Sequence, residues 1–321
     1  MSQKKILITT TSFQDTPGRH HALLAETGFE IERARGPLPE AEMLKLVGGH
    51  DGILCGDDAF TRPVLQKCLP RLRVLSKYGI GLDKIDVKAA TDLKIPVCYT
   101  PGVNHTTVAE HTFGLLLSLT RNIPPQDAVV KRAEWKRATG HELLEKTMGI
   151  LGLGRIGKEV AKRALAFGMK VCAFDIAWDE EFARQHGVER KAAPEDVLRA
   201  ADVVTLHMAS TAENKGFINR QRLAIMKEGA YLVNTARGAL IVEEDVVEAL
   251  KSKRLAGYGA DVVEPEPILK TSPLLSAPNI VLTPHIGSRT YESVERQALM
   301  SAENLIRMLR GETPHAQANK F

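Results

Sequence analysis

Short apolar runs alternate with stretches of helical periodicity along most of the chain, a pattern typical of a parallel β-sheet with helices on both faces. In the first third, strands are predicted at residues 5–9, 29–33, 52–55, 72–77 and 96–99, and helices at residues 18–26, 39–47, 63–68 and 86–93. This alternation predicts one doubly wound α/β unit.

A second alternating unit begins at residue 147, with strands predicted at residues 148–151, 170–174, 203–206, 230–234, 257–262 and 280–283. An apolar helix at residues 108–119 precedes it, with Thr107 and Glu110 as a capping box. An amphipathic helix at residues 291–310 and a polar tail at residues 312–321 follow it. The fold class is therefore predicted to be α/β, with two doubly wound parallel-sheet, Rossmann-like domains and a cleft between them.

Residues 126–146 lie between the two units, carry many charges and one tryptophan, Trp135, and show weak periodicity. One interpretation is an exposed arm or a dimer contact. The other is an ordinary surface helix with one packed tryptophan. The sequence leaves both interpretations open.

The most specific motif is the glycine turn Gly152-Leu153-Gly154-Arg155-Ile156-Gly157, which follows a predicted strand and opens a predicted helix. Gly152 permits a tight turn, Gly154 lets a pyrophosphate approach the backbone, and Gly157 lets the helix lie close to the strand. Asp175 ends the next strand, where its carboxylate would bind the ribose hydroxyls of an adenosine and repel a 2′-phosphate. The motif predicts a dinucleotide site that prefers NAD to NADP.

Composition excludes several functional classes. With 321 residues, the chain is long enough for two domains, and its net charge of +4 is not gathered into basic runs, which argues against nucleic acid binding. The four cysteines form no CxxC pair, so neither a metal site nor a disulfide framework is expected. No apolar run approaches membrane-spanning length, so a cytoplasmic protein without a membrane partner is expected.

Three polar residues follow successive predicted strands of the second unit: Arg237, Glu266 and His285. A histidine can protonate a carbonyl oxygen that gains negative charge when a hydride arrives from a nicotinamide. A neighbouring carboxylate fixes the imidazole tautomer and favours its charged form, and a guanidinium grips a substrate carboxylate in a bidentate way. Each residue alone also has a purely structural explanation, but their joint placement predicts a catalytic site.

The chain resembles the D-isomer-specific 2-hydroxyacid dehydrogenases, in particular the phosphoglycerate dehydrogenase-like members. The motifs that carry the resemblance, in chain order, are those at residues 78–86, 100–104, 108–110, 152–157, 233–238, 261, 266–267 and 283–287. The resemblance implies a discontinuous substrate-binding domain, residues 1–100 plus 290–321, and an NAD-binding domain, residues 101–289. It also implies a homodimer joined through the NAD-binding domain, which makes residues 126–146 a candidate arm.

The resemblance further implies the roles of individual residues. The catalytic residues would be Arg237, which holds substrate, Glu266, which supports the histidine, and His285, which is the acid/base. Cofactor contacts would come from Gly152, Gly154, Arg155, Ile156, Gly157, Asp175, His207, Thr235, Ala236, Asp261, His285 and Gly287. Substrate contacts would come from Lys77, Gly79, Ile80, Gly81, Asn104 and Arg237, with the backbone amides around Gly79 cradling the substrate carboxylate.

The chain departs from the family pattern at two positions. It reads His207-Met208-Ala209 where a proline commonly stands third, so the loop over the adenine is expected to differ in shape. Lys77 stands where phosphoglycerate members often place an arginine that meets a distal anion. A lysine can neutralise such an anion but cannot bind it in a bidentate way; the alternative is a solvated lysine at a strand end.

The predicted function is an NAD-dependent oxidoreductase that interconverts a small D-2-hydroxy acid and its 2-oxo acid. Lys77 and the resemblance favour 3-phosphoglycerate, followed by hydroxypyruvate and glyoxylate. Glu266 argues against the formate dehydrogenase branch, which carries glutamine there. Two alternatives are an NAD-sensing, corepressor-like interaction protein and a phosphite dehydrogenase on the same fold.

Overall fold

The structure is a computed structural model that describes residues 3–321. The chain divides into two compact units, each described below by itself. The first comprises the described residues up to Asn104 together with Arg289–Phe321, and the second comprises His105–Ser288. The domains were predicted to change at residues 100/101 and 289/290. Residues 1 and 2 of the predicted first domain lie outside the described residues.

The first unit contains five strands in the order β2-β1-β3-β4-β5, all of them parallel. The strands are β1 Lys5–Ile8, β2 Glu30–Arg33, β3 Gly52–Cys55, β4 Val74–Lys77 and β5 Val97–Cys98. The helices are α1 Thr11–Asp15, α2 Arg19–Ala25, α3 Glu40–Leu46, α4 Arg62–Lys67, α5 Val87–Asp92 and, at the end of the chain, α13 Tyr291–Leu309. The strand order reverses between β1 and β3, which is where doubly wound sheets bind their ligands.

Both faces of this sheet are covered, which explains why its central strands are mostly apolar, although β4 ends with Ser76 and Lys77. All four residues of β3 are buried, and so are those of β4. The return helix α13 covers one face, where Ala298, Ala302 and Leu305 pack with Leu54 and Val74. The last helix thereby completes the first unit.

The polar tail packs on this unit more closely than its composition indicates. Gln317 forms an antiparallel bridge with Cys98, and the Ala318 N–H donates to the Val97 carbonyl at 2.8 Å. The buried Asn319 side chain accepts from the Val97 N–H at 2.9 Å and donates to the Ile95 carbonyl at 2.9 Å. The tail therefore satisfies the outer edge of β5.

The second unit contains a seven-stranded parallel sheet in the order β12-β11-β10-β9-β6-β7-β8. Its strands are β6 Thr147–Leu151, β7 Lys170–Phe174, β8 Glu189–Arg190, β9 Val203–Leu206, β10 Ala230–Asn234, β11 Leu255–Ala260 and β12 Ile280–Leu282. Its helices are α6 His105–Thr120, α7 Ile123–Lys131, α8 Arg155–Ala166, α9 Glu180–His186, α10 Pro194–Ala200, α11 Arg220–Ile225 and α12 Glu243–Lys251.

One detail of the predicted helices is wrong, and one of the two interpretations of residues 126–146 is excluded. Helix α6 begins at His105, so Thr107 lies inside its first turn and cannot be the N-cap of the expected capping box. Residues 126–146 are helical only as far as Lys131, and Trp135 is 82% exposed rather than packed.

Over residues 3–321, the structure shows no helix with the length and apolar character needed to cross a membrane.

Candidate active site

The glycine turn joins β6 to α8, and close packing explains two of its glycines. Gly152 has φ +100°, and a Cβ there would lie 2.6 Å from the His207 carbonyl carbon. A Cβ on Gly157 would lie 2.1 Å from the Gly152 carbonyl oxygen. Gly154, in contrast, faces open space and is the N-cap of α8. Among the described residues, no side chain caps this end of the helix. The N-terminal N–H groups of α8 therefore point to an accessible anion site.

Asp175 follows β7 and binds the backbone of this turn. Its carboxylate accepts hydrogen bonds from the Leu153 N–H at 2.6 Å and from the Ala177 N–H at 2.7 Å. Each oxygen retains lone-pair capacity for a further donor. The carboxylate is thus fixed beside the turn, as a ribose acceptor requires.

The loop that carries Arg237 is shaped by Asn234, the last residue of β10. The buried Asn234 amide donates to the Arg237 carbonyl at 2.8 Å, and its oxygen accepts from the Ala236 N–H at 3.0 Å. Arg237 Nη1 donates to the Ala236 carbonyl at 2.7 Å. Within the same loop, the Thr235 hydroxyl lies 3.1 Å from that of Thr112 in α6. Sequence reasoning included Asn234 in a motif but gave it no role.

Two further loops bring Glu266 and His285 together after β11 and β12. His285 Nδ1 lies 2.8 Å from Glu266 Oε2, and the two side chains are 41% and 38% exposed. The other Glu266 oxygen accepts a long hydrogen bond, 3.4 Å, from the Val263 N–H. A Cβ on Gly238 would lie 2.1 Å from the Val263 carbonyl carbon, so the loop of Arg237 packs directly against the loop of Glu266.

Asp261 holds the segment that carries His285. Its Oδ1 accepts from the Thr283 hydroxyl at 2.6 Å and from the Ile286 N–H at 2.9 Å, and its Oδ2 accepts from the Gly287 N–H at 2.7 Å. The His285 N–H donates to the Asp261 carbonyl at 2.8 Å. His285 itself has φ +52°, an unfavourable conformation for a side-chain-bearing residue. These bonds maintain that conformation.

Burial alone would raise the pKa of the Asp261 carboxyl, but hydrogen bonds from His111, Thr283, Ile286 and Gly287 outweigh it and hold the pKa below its usual value. The carboxylate is therefore charged in the folded protein at neutral pH.

His111 of α6 is a residue that the sequence analysis missed. Its Nε2 lies 2.8 Å from the Thr283 hydroxyl and 3.2 Å from Asp261 Oδ1. Because the Thr283 hydroxyl donates to Asp261, the His111 ring must donate through Nε2. No motif signals this contact, because it joins residues 172 positions apart.

His207, an expected cofactor contact, has a buried imidazole. Its Nε2 lies 2.9 Å from the Thr205 hydroxyl, and its buried Nδ1 has no hydrogen-bond partner among the described residues. Burial lowers the pKa of His207 to about 3. The ring is neutral at physiological pH, and the backbone of His207 packs against Gly152.

This buried imidazole makes the protein sensitive to acid. The unfolded chain binds the proton of His207 near pH 6.5, whereas the folded chain binds it only near pH 3. Unfolding therefore takes up a proton in this range, and the free energy of unfolding falls as the pH falls. In urea titrations, we expect His207→Gln to lose about 2 kcal/mol less stability between pH 7 and pH 5 than the wild type. His186→Gln is the control, and an equal loss in wild type and His207→Gln would contradict the expectation.

In the first unit, Lys77 ends β4 but is not a solvated lysine. Its side chain is 4% exposed, and its Nζ donates to the Gly56 carbonyl at 2.8 Å and to Asp57 Oδ1 at 2.7 Å.

The expected carboxylate cradle needs one correction, because the Gly79 N–H already donates to the Thr100 hydroxyl at 3.0 Å. The amides of Ile80 and Gly81 thus remain as the candidates for that cradle.

The remaining predicted contacts lie beside α6, beside Asp261 and at the start of α8. Asn104 is buried immediately before α6. Gly287 leaves no room for a side chain, because a Cβ there would lie 2.8 Å from Asp261 Oδ2. Arg155 is exposed and Ile156 half-buried at the start of α8, beside the open face of Gly154.

Residues 113–287, which lie within the second unit, match the family model of the D-isomer specific 2-hydroxyacid dehydrogenase, NAD binding domain. The chain is 40% identical over 311 residues to D-3-phosphoglycerate dehydrogenase of Methanocaldococcus jannaschii, covering 96% of this chain but only 58% of that protein. It is 39% identical over 292 residues to glyoxylate reductase of Thermofilum pendens, covering 88% of this chain and 86% of that protein. The chain belongs to the D-isomer specific 2-hydroxyacid dehydrogenase family.

The fold comparison agrees with this assignment. The crystal structure of TT0316 protein from Thermus thermophilus aligns with a TM-score of 0.90 and 39% identity, covering 98% of this chain and 100% of that one. The predicted family, the fold class of two Rossmann-like α/β units and the NAD cofactor are confirmed.

Proposed function

We propose that this protein is an NAD-dependent enzyme that interconverts a small D-2-hydroxy acid and its 2-oxo acid. The observation that carries the proposal is the 2.8 Å contact between His285 Nδ1 and Glu266 Oε2, which leaves both side chains accessible in the NAD-binding unit. An accessible histidine oriented by a carboxylate is the group that proton transfer to a carbonyl oxygen requires. Membership of the family supports the same activity.

The residues of the glycine turn fit the cofactor. Gly154 faces open space at the start of α8, and the Asp175 carboxylate is held beside the turn by the Leu153 N–H. Gly152, Gly154, Arg155, Ile156 and Gly157 would hold the pyrophosphate, and Asp175 would bind the adenosine ribose. Further proposed contacts come from the strand-end residues His207, Thr235, Ala236, Asp261, His285 and Gly287. When bound, NAD supplies the hydride acceptor or donor.

The proton moves on His285. With Nδ1 bound to Glu266, Nε2 is the ring nitrogen that gives a proton to the carbonyl oxygen in reduction and takes it from the hydroxyl in oxidation. Glu266 stabilises the charged imidazolium, and Asp261 keeps the backbone of His285 in place. Arg237 would hold the substrate carboxylate and polarise the carbonyl.

The first unit is the proposed substrate-binding domain. Ile80 and Gly81 would supply N–H groups to the substrate carboxylate, with Lys77, Gly79 and Asn104 beside them. The candidate substrates are 3-phosphoglycerate, hydroxypyruvate and glyoxylate. The first and the last match the names of the phosphoglycerate dehydrogenase and glyoxylate reductase relatives.

The test is the loss of NADH absorbance with purified protein and a panel of 2-oxo acids, repeated with NADPH. We expect turnover of at least one small 2-oxo acid with NADH and much weaker turnover with NADPH. Turnover of none, while NADH still binds, would contradict the proposal and favour an NAD-sensing role. Activity on phosphite alone would instead assign a phosphite dehydrogenase.

Asp175 is expected to determine the choice of cofactor. Asp175→Ser removes the carboxylate that would repel a 2′-phosphate, and like charges in contact cost several kcal/mol. We therefore expect the ratio of kcat/KM for NADPH to that for NADH to rise by roughly a hundredfold. Asp196→Ser removes a comparable carboxylate on α10 and serves as the control. An unchanged cofactor ratio in Asp175→Ser would reject this role.

We also propose a homodimer joined through the NAD-binding unit, in which residues 123–144 contact the partner. This short segment exposes four large apolar side chains: Ile123 at 52%, Val130 at 55%, Trp135 at 82% and Leu144 at 60%. Several exposed large apolar side chains within so short a stretch of the chain are typical of a protein interface. A cytoplasmic location is proposed as well, since all four cysteines are unpaired.

Trp135→Glu tests the dimer. Burial of an exposed tryptophan contributes strongly to an interface, so the charge is expected to raise the dimer Kd by at least about a hundredfold. Sedimentation of the full chain would show a dimer for the wild type and a monomer for the variant at the same concentration. Leu275→Glu changes an equally apolar exposed residue outside the segment and should leave the dimer intact. A dimer that persists in Trp135→Glu would speak against this interface.

A further inference from the structure

The strand ends of the first unit carry an ion pair whose function the proposed reaction leaves open. The Lys77 ammonium is buried and donates to Asp57 Oδ1 at 2.7 Å, whereas the Asp57 side chain is 61% exposed. Asp57 follows β3, and Lys77 ends β4, the strand next to β3 in the sheet. The carboxylate therefore lies on the solvent side of the ammonium. The ammonium of Lys77 is the positive charge in β4 that could attract an anion.

This pair lies where the fold presents ligands. The strand order of the first unit reverses between β1 and β3, and doubly wound sheets bind ligands at the carboxyl ends of the strands at such a point. Lys77 Nζ also lies 3.9 Å from the position of a Cβ on Gly79, so the pair adjoins the loop of the proposed carboxylate cradle. A substrate held by the amides of Ile80 and Gly81 would meet Asp57 with its distal end.

The loop at residues 56–58 carries two neighbouring carboxylates, of which Asp57 contacts the ammonium of Lys77. Asp58, next to Asp57, is fully buried and accepts hydrogen bonds from the Gly56 N–H at 3.0 Å and the Leu38 N–H at 2.9 Å. A phosphate that approaches Lys77 must displace Asp57 or lie against it, and the repulsion between like charges opposes both.

We propose that Asp57 is a specificity residue that makes the site select 2-oxo acids with an uncharged distal end, such as glyoxylate and hydroxypyruvate, over those with a distal phosphate, sulfonate or carboxylate. This inference rests on the proposed function and decides among its candidate substrates. Lys77, screened by Asp57, then orders the loop at residues 56–58 and does not bind a distal anion.

The experiment measures kcat/KM for hydroxypyruvate and phosphohydroxypyruvate in the wild type, Asp57→Asn and Asp57→Ser. The wild type is expected to prefer hydroxypyruvate, and both variants to lower this preference on the order of tenfold, chiefly through KM for the phosphorylated acid. Asp92→Asn is the matched control: it removes an exposed, ion-paired carboxylate at the end of α5 in the same unit and should leave the preference unchanged.

The dependence on ionic strength tests the proposal on the wild type alone, so the result does not depend on whether a variant folds. Added salt screens repulsion, so it should raise the wild-type kcat/KM for phosphohydroxypyruvate relative to that for hydroxypyruvate. A wild-type preference for phosphohydroxypyruvate, or the same preference in Asp57→Asn and Asp92→Asn, would overturn the role of Asp57 and leave the proposed function standing. Turnover of no 2-oxo acid would overturn the proposed function and this inference with it.

Discussion

His285→Gln is expected to lower kcat for 2-oxo acid reduction by about 10²- to 10⁴-fold, the range that general acid–base catalysis contributes. Glutamine can still accept or donate a hydrogen bond near Glu266, but it cannot give up a proton at neutral pH. His285 is only one of many proposed cofactor contacts, and it follows β12, away from the glycine turn after β6, so the Kd for NADH is expected to change little. Stopped-flow turnover and NADH fluorescence titration measure the two quantities separately.

The chain offers a close control for this substitution. His315 Nε2 lies 2.8 Å from Glu303 Oε2, and its side chain is 39% exposed, which nearly reproduces the pair of His285 and Glu266. His315→Gln therefore removes an equivalent histidine–carboxylate contact outside the candidate site. Wild-type turnover in His285→Gln, or an equal loss in both variants, would show that His285 is not the acid/base.

The sequence predicted the strands best where the sheet is covered on both faces. Residues 52–55, 170–174, 203–206 and 230–234 are β3, β7, β9 and β10 with the bounds predicted. Such strands are apolar at most positions, with Lys170, Thr205 and Asn234 as polar exceptions in these four, so each reads as an apolar run that stands out from the polar residues around it. Strand β8 was missed because it consists of two exposed, charged residues at the sheet edge, Glu189 and Arg190.

The candidate site was predictable only in part, for a related reason. Arg237, Glu266 and His285 are visible in the sequence because each follows a strand, and the carboxyl ends of parallel strands meet at one edge. The contacts of His111 with Thr283 and of Lys77 with Asp57 depend on which strands and helices become neighbours. No local pattern encodes that adjacency, so the sequence could identify Lys77 as important but not show that it is screened.

Asp261→Asn is expected to reduce both stability and turnover, because Asp261 accepts hydrogen bonds with both of its oxygens. The asparagine oxygen can replace Oδ1, which faces Thr283 and Ile286, but the amide nitrogen then opposes the Gly287 N–H. Hydrogen bonds to a buried charged group contribute about 1.5–3 kcal/mol, so the free energy of unfolding should fall by roughly 2–3 kcal/mol. Urea titration at pH 7 measures this loss.

The pH dependence of the same titration identifies the carboxylate as the cause. Because the pKa of Asp261 is below its usual value in the folded protein, its stabilising effect is present at neutral pH and is lost as the pH falls through the folded and unfolded pKa values. The stability difference between wild type and Asp261→Asn should therefore shrink in acid. A constant difference between pH 7 and the acid limit of folding would contradict an effect of the charge.

Turnover in Asp261→Asn reports on a different consequence of the same bonds. His285 adopts a left-handed backbone conformation that Asp261 maintains through its neighbours, and a misplacement of about 1 Å in a reacting group can cost about a hundredfold in rate. A kcat loss of that size is expected. Asp202→Asn removes another hydrogen-bonded carboxylate, at the Thr147 N–H near the amino end of β6, and should cost stability while kcat is retained. A kcat loss confined to Asp261→Asn would show that the hydrogen bonds between Asp261 and residues 283–287 keep His285 competent to transfer a proton.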